Sequence, residues 1–185
     1  ELLLDIHFSG AAINDLLSQS NAAVWGKVRP RVLFWIARES GNRRMVVSEN
    51  TLPSLVDRLE KAMGYWGIPG LLPLMDIKDT ANLNVSDLWG FFVNPVEAAS
   101  RRYDSDAIVM ARVNRDVAGR WNVLWQLRME GETIEQGQLE ARSTQAWVDS
   151  LLGEVSARLA RVYAVSLDSA QEERLQLTVK GINTF

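Results

Sequence analysis

Cysteine is absent from this 185-residue chain, and histidine occurs once, as His7. The first absence excludes disulfides, thiolate metal sites and a cysteine nucleophile. The second excludes the common histidine-rich metal sites. It leaves one place for a histidine base, and no G-x-S-x-G elbow exists to pair with it. His7 sits in an apolar run, where a structural histidine is the simpler reading. There is no G-x-G-x-x-G and no G-x-x-x-x-G-K-[ST], so dinucleotide and phosphate-loop binding lack their mechanical basis. Basic charge is also scarce. Lys and Arg number 20 against 23 Asp and Glu, for a net charge of −3. No nucleic-acid partner is expected, because the basic footprint is missing. No run of 18 apolar residues occurs, so no transmembrane segment is expected. These absences assign no catalytic residue, no metal site and no cofactor.

What is present is a globular composition: 47% hydrophobic and 23% charged residues, close to the average for folded domains. A chain of this size buries about 70% of its unfolded surface and needs no staples. At ~150 residues per domain, one domain or one domain with an appendage is expected. The chain opens Glu1-Leu-Leu-Leu4, with neither an initiator Met nor a signal peptide. Leu175 to Val179 alternates like a strand, with nothing after it but a short tail to Phe185. Both ends suggest a fragment of a longer protein. The expected division is a mixed α/β domain over 1–167, then a linker and terminal strand over 168–185. That strand would lead to a missing or swapped segment, and a homodimer through it is one outcome.

The hydrophobic periods predict the elements. Leu2 to Phe8 reads as a strand and Ala11 to Ser18 as a helix capped by Ser9. Val32 to Ile36 is a continuous apolar run, the mark of a strand buried on both faces. Ser40-Gly41-Asn42 turns it back into Met45 to Val47. Thr51 is the expected cap of a helix whose stripe is Leu55, Val56, Leu59, Ala62 and Met63, ending at Gly64. Gly67-x-x-Gly70 then stops the helix and feeds a strand over Leu71 to Met75. Ser86 and Asn94 are the expected caps of two short helices. Ala107 to Ala111 is a second buried strand, and the segment to Ala141 reads as a three-stranded meander. Thr144 is the expected cap of the longest helix, striped by Trp147, Val148, Leu151, Leu152, Val155, Leu159, Val162 and Tyr163. This order fits an α/β fold: a mixed sheet with an antiparallel meander in the C-terminal half and helices packed on it.

Four polar residues deserve a functional reading beside a plain one. Asp76 and Asp79 follow a predicted strand, where α/β sheets bind ligands, and two carboxylates at that spacing suit Mg²⁺ or Ca²⁺. A solvated loop with turn-forming acids is the plainer reading. Arg29 and Arg102 are candidate additions to that ligand loop. The basic pairs Arg43-Arg44 and Arg101-Arg102 read as a hairpin tip and a helix end. The seven tryptophans are more informative. Trp35, Trp121, Trp125 and Trp147 fall on apolar faces and read as core. Trp25, Trp66 and Trp89 lie in or beside loops. With Phe91 and Phe92 they are the candidate partner-binding residues, because loop tryptophans anchor interfaces. The other reading is a set of lids folded onto the core.

The phrases Arg29-Pro-Arg-Val-Leu-Phe-Trp-Ile-Ala37, Leu72-Pro-Leu-Met-Asp76, Asp87-Leu-Trp-Gly90, Ser100-Arg-Arg-Tyr-Asp-Ser-Asp-Ala-Ile-Val109 and Gly119-Arg-Trp-Asn-Val-Leu-Trp125 resemble the bacterial "domain of unknown function 2066" family. The resemblance runs over nearly the whole chain in the right order. It implies an exported envelope protein of Gram-negative bacteria, periplasmic, with further segments on both sides. It implies no activity and no site residues. The element order is similar, more distantly, to the envelope domains of the TolB N-terminal and CsgG type, which work by binding partners; fold does not fix function. The expectation is a non-catalytic periplasmic module that binds or scaffolds an envelope protein. The alternatives are a ligand- or metal-binding hydrolytic domain using Asp76 and Asp79, and a structural domain whose function lies in missing flanks.

Overall fold

The computed structural model of the chain describes Ser9, residues 24–25 and residues 29–165. The expected strand at Leu2 to Phe8, the helix at Ala11 to Ser18, His7 and the strand at Leu175 to Val179 lie outside the described residues. By internal contacts the chain divides into two units, Val28–Leu159 and Glu1–Lys27 with Ala160–Phe185. In the second unit, β1 (Val24–Trp25) pairs antiparallel with a short strand at Ala164–Val165, Val24 against Val165 and Trp25 against Ala164.

The unit Val28–Leu159 is built on one mixed sheet. Its central strand is β2 (Val32–Ser40), in which Val32 to Ala37 are all buried. That explains the unbroken apolar run, since neither face meets water. A hairpin at Gly41, where φ is +59°, returns the chain as β3 (Arg43–Val46), antiparallel to β2. Helix α1 (Pro53–Trp66) follows, and buries Leu55, Val56, Leu59, Ala62 and Met63, the stripe expected from the sequence. Thr51 is not its cap. Leu52 holds that position, and the Thr51 hydroxyl donates instead to the Val46 carbonyl at 2.6 Å, tying the loop to β3. The helix runs past Gly64 and stops at Gly67, which takes the left-handed conformation (φ +64°) that suits glycine at a C-terminal cap.

The expected strand at Leu71 to Met75 shrinks to β4 (Gly70–Leu71), parallel to the start of β2. Met75 has φ +52°, and this left-handed residue turns the chain off the sheet into α2 (Ile77–Asn82). Then come α3 (Val85–Trp89) and α4 (Val93–Ser100). Their N-caps are Asn84 and Phe92 rather than Ser86 and Asn94. Asn84 and Asp87 form a reciprocal capping box, which wins because it satisfies two orphan amide groups at once. A 3-10 turn (Arg101–Tyr103) leads into β5 (Ala107–Arg115). Its register with β2 is parallel, from Val32 opposite Ala107 to Arg38 opposite Val113. The Asp106 side chain accepts from the Arg31 amide at 2.7 Å and pins that register at its start. The meander continues through β6 (Trp121–Met129) and β7 (Glu132–Ala141), both antiparallel, as the sequence pattern predicts. Strand order is β3-β2-β5-β6-β7. The last helix, α5 (Thr144–Tyr163), is capped by Ser143, whose hydroxyl accepts from the Ala146 amide, and not by Thr144.

Strand alternation sorts the sheet into two faces. One carries Phe34, Ile36, Val109, Ala111, Val123, Trp125 and Leu127. Trp125 donates to Glu154 of α5 at 3.0 Å, so α5 covers this face. Gly137 lies opposite Trp125, and a Cβ there would stand 2.8 Å from the indole nitrogen; the glycine makes room for the ring. The other face carries Leu33, Trp35, Ala37 and Met110, packed with Leu83, Leu88, Val96 and Ala99 from α2 to α4. Trp35, Trp121, Trp125 and Trp147 are all buried, as the core reading of those four expects. Over β6 and β7 this second face is only half-buried, lined by Leu124 and Gln126.

Candidate functional site

The two faces also separate the polar residues. On the Trp35 face, Asp76, Asp79 and Arg102 converge, though they come from segments 23 to 26 residues apart. Asp76 is the N-cap of α2, and one of its oxygens accepts from the amides of Lys78 and Asp79, both at 3.0 Å. Arg102 grips the same carboxylate with both terminal nitrogens, at 2.6 and 2.9 Å. Its Nη1 also reaches Asp79 Oδ1 at 3.1 Å. Asp79 is fully buried, and its other oxygen accepts from the Met75 amide at 2.8 Å and from the Tyr103 hydroxyl at 2.5 Å. The Leu74 amide donates to that hydroxyl in turn, at 2.9 Å. Tyr103 sets its ring edge-on to Trp35, 6.1 Å between centroids, so the cluster is anchored in the core.

Charge follows geometry here. The Arg102 hydrogen bond, then the Asp79 amide, hold the Asp76 carboxyl down at about 2. The same pairing raises Arg102 above its usual range. Burial, then the bond to Asp79, pushes the Tyr103 phenol up to about 12. Every carboxylate oxygen of the cluster thus has a donor from its own chain. A guanidinium occupies the position beside Asp76 that a cation would take. Among the described residues no group of three or more His, Cys, Asp or Glu side chains is placed to hold a metal. The sequence offered no sign of Tyr103, because nothing local marks it as a partner for a carboxylate 24 residues earlier. Arg29 is engaged elsewhere: its Nη1 donates to the Gly67 carbonyl and braces the end of α1.

The candidate partner-binding aromatics fare differently from one another. Trp66 ends α1, half-buried; a Cβ on Gly153 of α5 would lie 3.0 Å from its ring, so the two helices meet there. Trp89 ends α3, half-buried, with the Arg44 guanidinium 4.2 Å from its ring centroid and Arg112 at 5.8 Å. Phe91 is half-buried against the same core cluster, with φ +56°. Phe92 is 58% exposed. Trp25 lies in β1, and its side chain is outside the described residues. Beside Phe91, a cleft of about 350 Å³ opens over the half-covered face, lined by Arg112, Leu124, Gln126 and Gln136.

On the opposite face the sheet ends in a different polar group. Arg38, Arg115 and Trp121 share the face of Ile36 and Val123, by the β2, β5 and β6 registers. The guanidinium carbons of Arg115 and Arg38 lie 4.3 and 5.1 Å from the Trp121 ring centroid. Burial, then the neighbouring Arg115, lowers the Arg38 pKa. The signal for this pair was present but unremarkable: the buried run of β2 ends at Ala37, directly before Arg38, and that of β5 at Val113, shortly before Arg115.

Comparison with known proteins adds little. No family model matches the chain, and no curated protein does. Among solved structures, the chain is similar to the crystal structure of lipoprotein GNA1162 from Neisseria meningitidis. The two are 18% identical over 71% of this chain and 96% of that one, with a TM-score of 0.40. A likeness of that size leaves fold and function to be argued from this chain's own residues. No helix among the described residues is long and apolar enough to cross a membrane.

Proposed function

We propose that the chain is a non-catalytic protein-binding or scaffold module of a periplasmic cell-envelope protein. One observation carries the non-catalytic part. The carboxylates best placed for chemistry, Asp76 and Asp79, have every oxygen engaged by Arg102, Tyr103 or a backbone amide. A general base or a metal ligand needs a lone pair free to meet substrate or ion. This cluster uses its oxygens to hold the segment before α2 and the start of α2 to the 3-10 turn, which disfavours the hydrolytic reading. The binding part rests on what that segment and its neighbour present to solvent. Leu74, Ile77 and Phe92 are 60%, 87% and 58% exposed, and Phe92 follows Phe91, which lines the half-covered cleft. Large apolar side chains held out on braced loops suit a partner interface. The envelope assignment rests on the phrases that resemble the "domain of unknown function 2066" family, and so does the expectation of an envelope-protein partner.

The test is site-specific photo-crosslinking in a Gram-negative host. A photoreactive residue at Phe92 should give one dominant adduct, and Phe92→Ser in the unlabelled chain should fail to compete for it. The same probe at Val117, exposed on the β5–β6 turn, is the control. Identical adducts from both positions, or none from Phe92, would overturn the reading.

A further inference from the structure

Among the described residues neither Arg38 nor Arg115 has an acidic partner, although Glu39 lines the same cleft. Nearby acids are taken by other arginines. Glu39 pairs with Arg44 at 2.9 Å, Asp116 with Arg120 at 2.9 Å, and Glu140 with Arg120 at 2.9 Å. Arg38 Nε is shielded from water and has no acceptor. Two like charges, one half-buried and one exposed, therefore share a single tryptophan ring, and they repel one another. Side-chain packing alone does not call for this, since one apolar residue would cover Trp121 without the charge. The position carries weight too. β2 and β5 are parallel, and Arg38 and Arg115 stand at their carboxyl ends, outside which α/β sheets bind ligands. A cleft of about 440 Å³ lies there, lined by Arg38, Glu39, Ser40, Gly41, Arg115 and Trp121.

We infer that this cleft is an oxyanion site that takes a phosphoryl group, with Arg38 and Arg115 as its two guanidinium donors. Paired guanidiniums match the geometry and the double charge of a phosphate monoester. Trp121 is 2% exposed, so it is a stacking platform that fixes the arginines and not a surface for the ligand. The inference is independent of the protein-binding reading above, which uses the other face. The phosphoryl group belongs either to a soluble ester or to a lipid headgroup, and the experiment separates these.

Calorimetric titration at constant ionic strength, in a buffer free of phosphate, uses inorganic phosphate, glycerol 3-phosphate and phosphatidic acid vesicles in turn. The wild-type chain should bind at least one saturably. Arg38→Gln with Arg115→Gln should weaken that binding by about tenfold or more, the loss expected for hydrogen bonds to a charged group. Arg43→Gln, at the exposed hairpin tip, should leave it unchanged. Soluble phosphates binding as well as vesicles would place the source in solution; vesicles alone would place it in lipid. Should the double variant not fold, Arg115→Gln alone carries the test, because Arg115 is exposed. No saturable binding to any probe, equal binding by the variant, or equal loss in Arg43→Gln would overturn the inference.

Discussion

The two arginine groups of this sheet make opposite use of the same side chain. On the Trp35 face, Arg102 meets two carboxylates and is locked by them, with each acid also held by backbone amides. On the Trp121 face, Arg38 and Arg115 meet an aromatic ring and each other. Both groups sit near strand ends beside a buried tryptophan. The difference is completeness. A closed set of donors and acceptors stabilises a loop and has less left to offer a ligand. An open set contributes little to the fold and keeps its charge for something else. Acidic residues look more chemical in a sequence than arginines do, yet here the acids are paired with Arg102 and Tyr103 while Arg38 and Arg115 have no acid of their own among the described residues.

Removing the buried member of the closed set should have the largest effect. Asp79→Ala leaves the Tyr103 hydroxyl and the Met75 amide without their acceptor, and takes from Arg102 one of its two carboxylate partners. Each buried donor left without an acceptor costs about 1–3 kcal/mol. Urea unfolding should show that loss, and a change below about 1 kcal/mol would mean that the cluster is not a lock.

The closed set should also leave its mark on both limbs of the pH–stability curve. The folded-state pKa of Asp76 is depressed to about 2. Its contribution is full above the ordinary carboxyl value and fades as pH falls through about 4 toward 2, where the unfolded chain binds the extra proton. Tyr103 is raised to about 12. Its contribution is full below the ordinary phenol value and is lost as pH rises from about 10 through 12. Asp76→Asn should flatten the acid limb alone, and Tyr103→Phe the alkaline limb alone. Thermal melts across pH 2 to 12 would check both, and an alkaline limb unchanged by Tyr103→Phe would count against the assignment.

The open set should respond least. Arg115→Gln removes one exposed cation–π contact, worth about 0.5–1 kcal/mol, and relieves the repulsion on Arg38. Its melting temperature in phosphate-free buffer should stay close to wild type. A loss as large as that of Asp79→Ala would make this group structural too and erase the contrast.

Much of the fold was legible because its signals are local. The apolar run at Val32 to Ile36, the alternation from Trp121 to Leu127 and the stripe from Trp147 to Leu159 each encode a face, and all three bury as their periods require. Caps were less legible. Thr51, Ser86, Asn94 and Thr144 all have the right chemistry, but Leu52, Asn84, Phe92 and Ser143 take the positions, because the final choice depends on which neighbouring backbone groups need a partner. Of the expected ligand loop, Asp76, Asp79 and Arg102 do meet, while Arg29 is spent on Gly67.

By itself the sequence determined the mixed α/β plan and the burial of Trp35, Trp121, Trp125 and Trp147 in the core. Only the tertiary structure decided which charges are closed and which are open. Asp79 acquires Tyr103 through the packing of α2 and the 3-10 turn, and Arg38 comes to share a cleft with Arg115 through the parallel register of β2 on β5. Local periodicity encodes which face a residue occupies. Pairing across 23 or more residues depends on register and packing, which no local pattern carries.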